Sequence, residues 1–183
     1  GYYLWKAGGI SAWILADGSP IPPATTLNAG SAGVQHFYSL LLNQTLLDRL
    51  TASEGFDLVY ERHSLWSLAG LQYARREKIP FFLEVNAPLV DQQRAYRELE
   101  FEEAATAVEA LLFEKADRVF VTTASLVDYV HRRGGRRSTV RVLPCGAGSH
   151  LFARRSRPRR SDGDDFVVGF LGTLKPWHGL DVL

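Results

Sequence analysis

The 183 residues carry 46% apolar, 11% aromatic and 22% charged side chains with a formal net charge of +1, ordinary globular usage that excludes disorder and bulk electrostatic capture of nucleic acid. A single cysteine, Cys145, excludes an intrachain disulfide and every multi-cysteine zinc site. No apolar run reaches the roughly 18 residues of a membrane span, no basic and then hydrophobic leader opens the chain, and methionine is absent, so a soluble, intracellular piece of a longer protein is expected.

The first 55 residues carry the weakest pattern: Ala12 to Ala16 suggests a strand, Asp17 to Thr26 holds a glycine and three prolines, and Gly30 to Gly33 reads as a turn. From Phe37 to Leu50 the apolar residues Phe37, Leu40, Leu41, Leu42, Leu46, Leu47 and Leu50 recur at helical spacing, and Gly55 closes that helix. Phe56 to Tyr60 is a short apolar run of the kind buried in a parallel sheet. Ser64 is a cap for a helix reaching about Lys78, with Leu65, Leu68, Leu71 and Tyr73 on its apolar face. Pro80 breaks that helix, and Phe81 to Val85 forms the next buried strand. One long helix is expected from about Leu89 to Ala116, with Leu99, Val108, Leu111 and Leu112 inward and its many glutamates outward. Arg118 to Val121 is a third strand, Thr123 caps a helix that stops at Gly134 and Gly135, and Thr139 to Leu143 is a fourth strand ended by Pro144.

Short apolar strands alternating with helices imply an α/β fold with a doubly wound, mainly parallel, Rossmann-like sheet over residues 1–150. Such sheets place ligands at the carboxyl ends of their strands, which singles out Glu61 to His63, Asn86 to Pro88, Thr122 to Ala124 and Cys145 to Gly148. Residues 151–165 lose all periodicity and read as a linker, and residues 166–183 are expected to be only the first strand, Phe166 to Leu171, and the following turn of a second α/β domain that is cut off. Charge is unevenly spread: residues 84–117 hold nine carboxylates against three basic groups, and residues 118–160 hold eleven arginines against Asp128 alone. Arginine outnumbers lysine seventeen to four, a bias that is most simply a matter of GC-rich coding; the rival reading is an arginine-rich module without catalysis, binding nucleic acid or an anionic surface through Arg132, Arg133, Arg136, Arg137 and Arg154 to Arg160. Against it, no aromatics interleave with the arginines. Neither GxGxxG after a strand nor GxxxxGK followed by Ser or Thr is present, and no spacing of Ser, His and Asp signals a hydrolase triad.

Four stretches in order, FDLVYERHSL at 56–65, IPFFLEVNAPL at 79–89, ADRVFVTTASLVDYV with RVLPCGAGSHLF at 116–130 and 141–152, and VVGFLGTLKPWHGLDVL at 167–183, resemble family 4 of the retaining, nucleotide-sugar-dependent glycosyltransferases of GT-B architecture. The resemblance implies an acceptor-side amino-terminal domain, a donor-side carboxy-terminal domain and sugar transfer in the cleft between them. It also implies a nucleotide-sugar as co-substrate, no metal or other cofactor, a carbohydrate, lipid-linked or small-molecule acceptor, and a cytoplasmic site of action with possible peripheral contact at the inner membrane face. On that likeness the family's glycine-rich acceptor loop belongs upstream of Gly1 and its paired catalytic glutamates beyond Leu183, so the catalytic residues are unknown here and the piece is expected to be inactive by itself.

Two groups of site residues follow. In GTLKPWHG, Gly172, Thr173, Lys175 and His178 are expected to bind the donor diphosphate at a strand-to-helix turn; where the resembled family has Arg or Ser and usually Lys, this sequence has Thr173 and His178, and the alternative is a packing turn. Arg62, Glu84, Asn86, Thr123 and Gly146 are expected to line the sugar or acceptor cleft, with Asn86 standing where relatives often have a sugar-contacting histidine. Glu84 in an apolar strand needs a partner, either the substrate or Arg62 as internal scaffolding. His63 is expected at the surface, and Cys145 as a small buried residue.

Overall fold

A computed structural model describes residues 2–6, 9–13, 32–146, 148, 169–172, 178–179 and 182. Two compact units divide the chain, residues 1–144 and 145–183. Unit 1 contains β1 (Tyr2–Lys6), β2 (Gly9–Trp13), α1 (Ala32–Ala52), β3 (Leu58–Arg62), α2 (Ala69–Glu77), β4 (Phe81–Val85), α3 (Leu89–Tyr96), α4 (Glu102–Lys115), β5 (Arg118–Val121), α5 (Ser125–Arg132) and β6 (Val140–Val142).

The six strands form one sheet in the order β2-β1-β3-β4-β5-β6. Strands β3 to β6 are parallel, as the apolar runs separated by helices require, and β1 joins β3 antiparallel as half of a hairpin with β2. The fold is therefore the expected α/β, Rossmann-like class. Along the parallel strands burial alternates: Val59, Phe81, Leu83, Val85, Val119, Val121 and Val140 are buried, whereas Tyr60, Phe82 and Phe120 on the opposite face are half-buried. The buried set packs against Leu50, Leu71, Tyr73, Leu112, Phe113, Leu126, Tyr129 and Val130 from α1, α2, α4 and α5 in one core. These four helices thus cover one face of the sheet. On the other face Tyr60, Phe82 and Phe120 pack on one another, with ring centroids 6.0 and 5.8 Å apart, and no helix covers it among the described residues.

Several expected boundaries move. The first apolar run begins its strand at Leu58 rather than Phe56, so Glu61 and Arg62 are inside β3 rather than beyond it. The hairpin strand is Gly9–Trp13, three residues earlier than expected, and β1 carries no signal that periodicity detects. The long helix over 89–116 is two helices, because Arg97 is extended and Phe101 is left-handed at φ 58°. The break lets Leu99 fold in beside Trp66, Val90 and Ala105.

Ser64 does not cap the next helix, which starts only at Ala69. Asn43 of α1 does that work from a distance: its Oδ1 accepts the Leu68 and Ala69 N–H groups at 2.7 and 3.0 Å, and its Nδ2 donates to the Trp66 and Leu40 carbonyls at 2.6 and 3.1 Å. The first amides of a helix have no partner within it, and a side-chain oxygen from elsewhere meets the same need as a cap. Asn43→Ala is expected to lower stability by about 1–2 kcal/mol in urea titration, and Asn43→Asp by less, since it keeps the two accepted bonds.

Candidate functional site

The carboxyl ends of the four parallel strands finish level. His63 N–H donates to the Glu84 carbonyl at 2.8 Å, Thr122 N–H to Val85 at 3.4 Å and Leu143 N–H to Val121 at 2.8 Å, so each loop leaves its strand from the same edge. This is the edge where parallel sheets present side chains to ligands.

On the half-buried face of that edge, Glu84 is the centre of a polar group. Tyr60 Oη donates to Glu84 Oε2 and Asn86 Nδ2 donates to Glu84 Oε1, both at 2.7 Å. Each oxygen of a partly desolvated carboxylate thereby has a donor, which offsets the loss of water. Arg62 stands beside Glu84 in strand register but is exposed, and the scaffold partners of Glu84 are Tyr60 and Asn86. Asn86 Oδ1 is buried and accepts no hydrogen bond among the described residues.

The remaining expected residues of unit 1 are less gathered. Thr123 is exposed and its hydroxyl bonds the Ser125 hydroxyl at 2.9 Å; it lends α5 a backbone carbonyl to Leu126 at 3.2 Å rather than a side-chain cap. Gly146 is exposed, with open space where a side chain would stand. Cys145, expected to be buried, is exposed, because the chain has left the sheet after Pro144. In unit 2, Gly172 has φ 156°, and a Cβ there would press on the Phe170 ring at 3.2 Å, so glycine is required. The His178 ring packs against Phe170 with centroids 5.4 Å apart. Thr173 and Lys175 lie outside the described residues.

The helix-covered face of the same edge holds a second, buried group whose burial the sequence reading did not anticipate. Glu61 and Glu109 are each 1% exposed, and His63, expected at the surface, is 8% exposed. Glu61 occupies the inward parity of β3 and sits against Gly70 of α2; a Cβ at Gly70 would collide with its Oε2. Glu109 shares the inward stripe of α4 with Ala105, Leu112 and Phe113 instead of facing water with the other glutamates. The usable signals were the alternation Val59, Glu61 and the i, i+4 spacing of Ala105, Glu109 and Phe113.

Tyr129 Oη donates to Glu109 Oε2 at 2.5 Å, Arg133 Nη1 lies 3.3 Å from the same oxygen, and Arg133 Nη2 donates to Asp91 at 2.7 Å. The guanidinium also sits over the Tyr129 ring at 5.4 Å. His63 Nε2 is 3.7 Å from Glu109 Oε1, and its ring packs edge-on against Phe113 at 5.3 Å. Burial pushes the Glu61 carboxyl up from its ordinary 4.5 to about 8, with a Ser67 hydroxyl offsetting only part of the effect. Burial takes the His63 imidazole down from 6.5 to about 4, so it is neutral near pH 7. Burial lifts Glu109 to about 7, opposed by the Tyr129 hydroxyl and the Arg133 charge. The Tyr129 phenol is raised in turn by burial and by the carboxylate it bonds.

Arg133 is therefore a largely buried residue, 18% exposed, which removes it from the arginine cluster considered as a free surface, and Arg137 stays at the surface paired with Asp128 at 2.6 Å. The arginines at 154–160 lie outside the described residues. Among the described residues no group of His, Cys, Asp and Glu is arranged to hold a metal ion, and no helix is long and apolar enough to cross a membrane. No curated protein matches the sequence. Residues 11–146 match the family model described as a glycosyl transferase 4-like domain. That match covers most of the 183 residues, runs from within β2 through β6 and takes in the loops that follow β3, β4 and β5: the chain belongs to the glycosyl transferase 4-like domain family.

Proposed function

We propose that this chain serves a glycosyltransferase that moves a sugar from a nucleotide-sugar to an acceptor with retention of configuration, and that unit 1 is its acceptor-facing domain. The observation that carries the reading is the strand-end group of Tyr60, Glu84 and Asn86. Glu84 fixes the Asn86 amide by taking its N–H, which leaves the buried Oδ1 as an acceptor with no donor. An unmet buried acceptor costs about 1–3 kcal/mol, and a sugar hydroxyl is a donor of the right kind to relieve it.

Residues 172–178 are the donor side of the same proposal. The apolar run ending at Gly172, followed by Thr173, Lys175 and His178, supports contact with a diphosphate, with Lys175 the permanent cation, although residues 169–171 form no strand where the sequence predicts one. A diphosphate gains negative charge as the glycosidic bond breaks, so a lysine there stabilises the leaving group more than the bound donor. No metal is needed for that role, and none is part of the proposal.

Calorimetry with UDP, GDP, UDP-glucose and GDP-mannose tests both halves. Lys175→Ala is expected to weaken diphosphate binding about tenfold or more, the scale of one charged hydrogen bond. Asn86→Ala is expected to leave free UDP and GDP binding unchanged and to weaken the sugar-dependent increment by about two- to tenfold. If Lys175→Ala and His178→Ala bind diphosphate as the parent does, the turn is only a packing element; if Asn86→Ala alters nothing, the sugar contact is wrong.

A further inference from the structure

The loop that leaves β3 passes through a conformation that its own residues disfavour. The sheet holds the chain as far as His63, whose N–H donates to the Glu84 carbonyl, and Ser64 to Ser67 then form a turn closed by the Ser67 N–H to the Ser64 carbonyl at 3.4 Å. Trp66 is third in that turn with φ 71°, a left-handed backbone that suits glycine or asparagine and not a bulky side chain. Such a conformation persists only where its surroundings enforce it, and it concentrates at ligand-binding edges. Two sets of contacts enforce it here. Asn43 of α1 donates to the Trp66 carbonyl at 2.6 Å and the Leu40 carbonyl at 3.1 Å, and accepts from the Leu68 and Ala69 N–H groups at 2.7 and 3.0 Å, so both donors and both acceptor sites of its amide are used. The Trp66 side chain, 2% exposed, is buried in one cluster with Val90 in the first turn of α3 and Ala105 of α4.

We propose that Asn43 is a positioning residue for the strand-end edge: it locks Trp66 in the left-handed conformation, and the locked tryptophan seats the loop after β3 against the first turn of α3. That turn begins directly after Asn86 to Pro88, so the loops at 63–68 and 86–88 keep one fixed relation. The consequence for a sugar rests on the function proposed above; the lock itself does not. The role differs from capping α2. Capping uses only the acceptor Oδ1, whereas the lock also uses the donor Nδ2, the atom bound to the Trp66 carbonyl. An aspartate at position 43 separates the two roles: its carboxylate still accepts from Leu68 and Ala69, but it sets a second oxygen against the Trp66 carbonyl, where two acceptors repel.

The test is NMR with amide hydrogen exchange on this chain, following the Leu68 and Ala69 amides, the Trp66 backbone signals and the Asn86 side-chain amide. The Val59 and Asp117 amides, bonded to the Pro80 and Phe81 carbonyls at 2.9 Å, serve as core references in the same sample. Asn43→Ala is expected to lower Leu68 and Ala69 protection about tenfold relative to those references, the scale of a lost hydrogen bond, and to shift both Trp66 and Asn86. Asn43→Asp is expected to keep that relative protection within about threefold of wild type and still to shift Trp66 and Asn86. Val90→Ala, which leaves Asn43 and its bonds in place, is expected to shift the Trp66 backbone without loss of relative protection at Leu68 and Ala69. The proposal is overturned if Asn43→Asp leaves Trp66 and Asn86 at their wild-type positions, which makes Asn43 a cap alone. It is equally overturned if Asn43→Ala lowers loop and core protection by the same factor, or if Val90→Ala leaves Trp66 unmoved. Should Asn43→Ala fail to fold, the Asn43→Asp and Val90→Ala arms decide the matter by themselves. Shifted Trp66 and Asn86 signals in Asn43→Asp with unchanged UDP-glucose affinity support the lock and count against Asn86 as a sugar contact.

Discussion

Raising the pH from 5 to 9 is expected to destabilise this chain, and Glu61 is expected to account for most of the loss. The carboxyl is 1% exposed behind β3 and against Gly70, and burial lifts it from 4.5 to about 8. Its folded-state pKa is above its unfolded value, so its contribution is fully present below about 4.5 and disappears as pH rises through about 8. A displacement of that size corresponds to on the order of 5 kcal/mol, comparable to the whole stability of a small domain. Glu109, lifted to about 7, acts with the same sign. His63 acts oppositely, since a base taken down from 6.5 to about 4 adds stability as pH rises through that interval and is silent above it. The net slope is therefore downward, and steepest between about pH 6 and 7, where Glu61 and Glu109 act together and the opposing His63 contribution is fading. Urea titrations at pH 5, 7 and 9 followed by tryptophan fluorescence measure it. Glu61→Gln should flatten most of the curve and be more stable than the wild type at pH 9. A wild-type stability that is level, or that rises with pH, sinks this account.

Truncating Phe113 is the second large expected effect. Its side chain is fully buried between α4, α5 and the sheet, with ring centroids 5.3 Å from His63 and 6.0 Å from Tyr129. Phe113→Ala is expected to cost about 3–5 kcal/mol, and Phe113→Leu about 1.5 kcal/mol or less, because leucine refills most of the space. The variant also changes electrostatics: opening a cavity beside His63 relieves the burial that holds its pKa near 4, so the imidazole should titrate closer to 6.5. Histidine proton shifts in Phe113→Ala, compared with wild type and with Phe113→Leu, report that movement. An unchanged His63 titration in Phe113→Ala would show that Phe113 packs the core without setting the His63 environment.

Local pattern alone determined the class of the fold. Runs such as Phe81 to Val85 and Arg118 to Val121 are too short and apolar to be anything but buried strands, and the helical spacings between them force parallel pairing through crossovers. It also identified the strand-end edge, because a parallel sheet offers ligands its carboxyl ends wherever the chain supplies loops there. Glu84 and Asn86 were legible for the same reason: a polar pair closing an apolar strand is costly unless it is used. Tertiary structure decided the partners. That Glu84 bonds Tyr60 and Asn86 rather than Arg62 depends on how far β3 extends past its apolar run, and that start was set by pairing with β4. The helix break at 97–101 came from Leu99 joining the cluster around Trp66, a contact between residues far apart in the chain. His63 and Glu109 were read as solvent-facing, and Glu61 as lying beyond its strand, because charge argues for water and periodicity argues only for a face. Which argument wins depends on whether neighbours from other elements supply Tyr129, Arg133 and Ser67 to compensate the burial, and only folding brings those residues together.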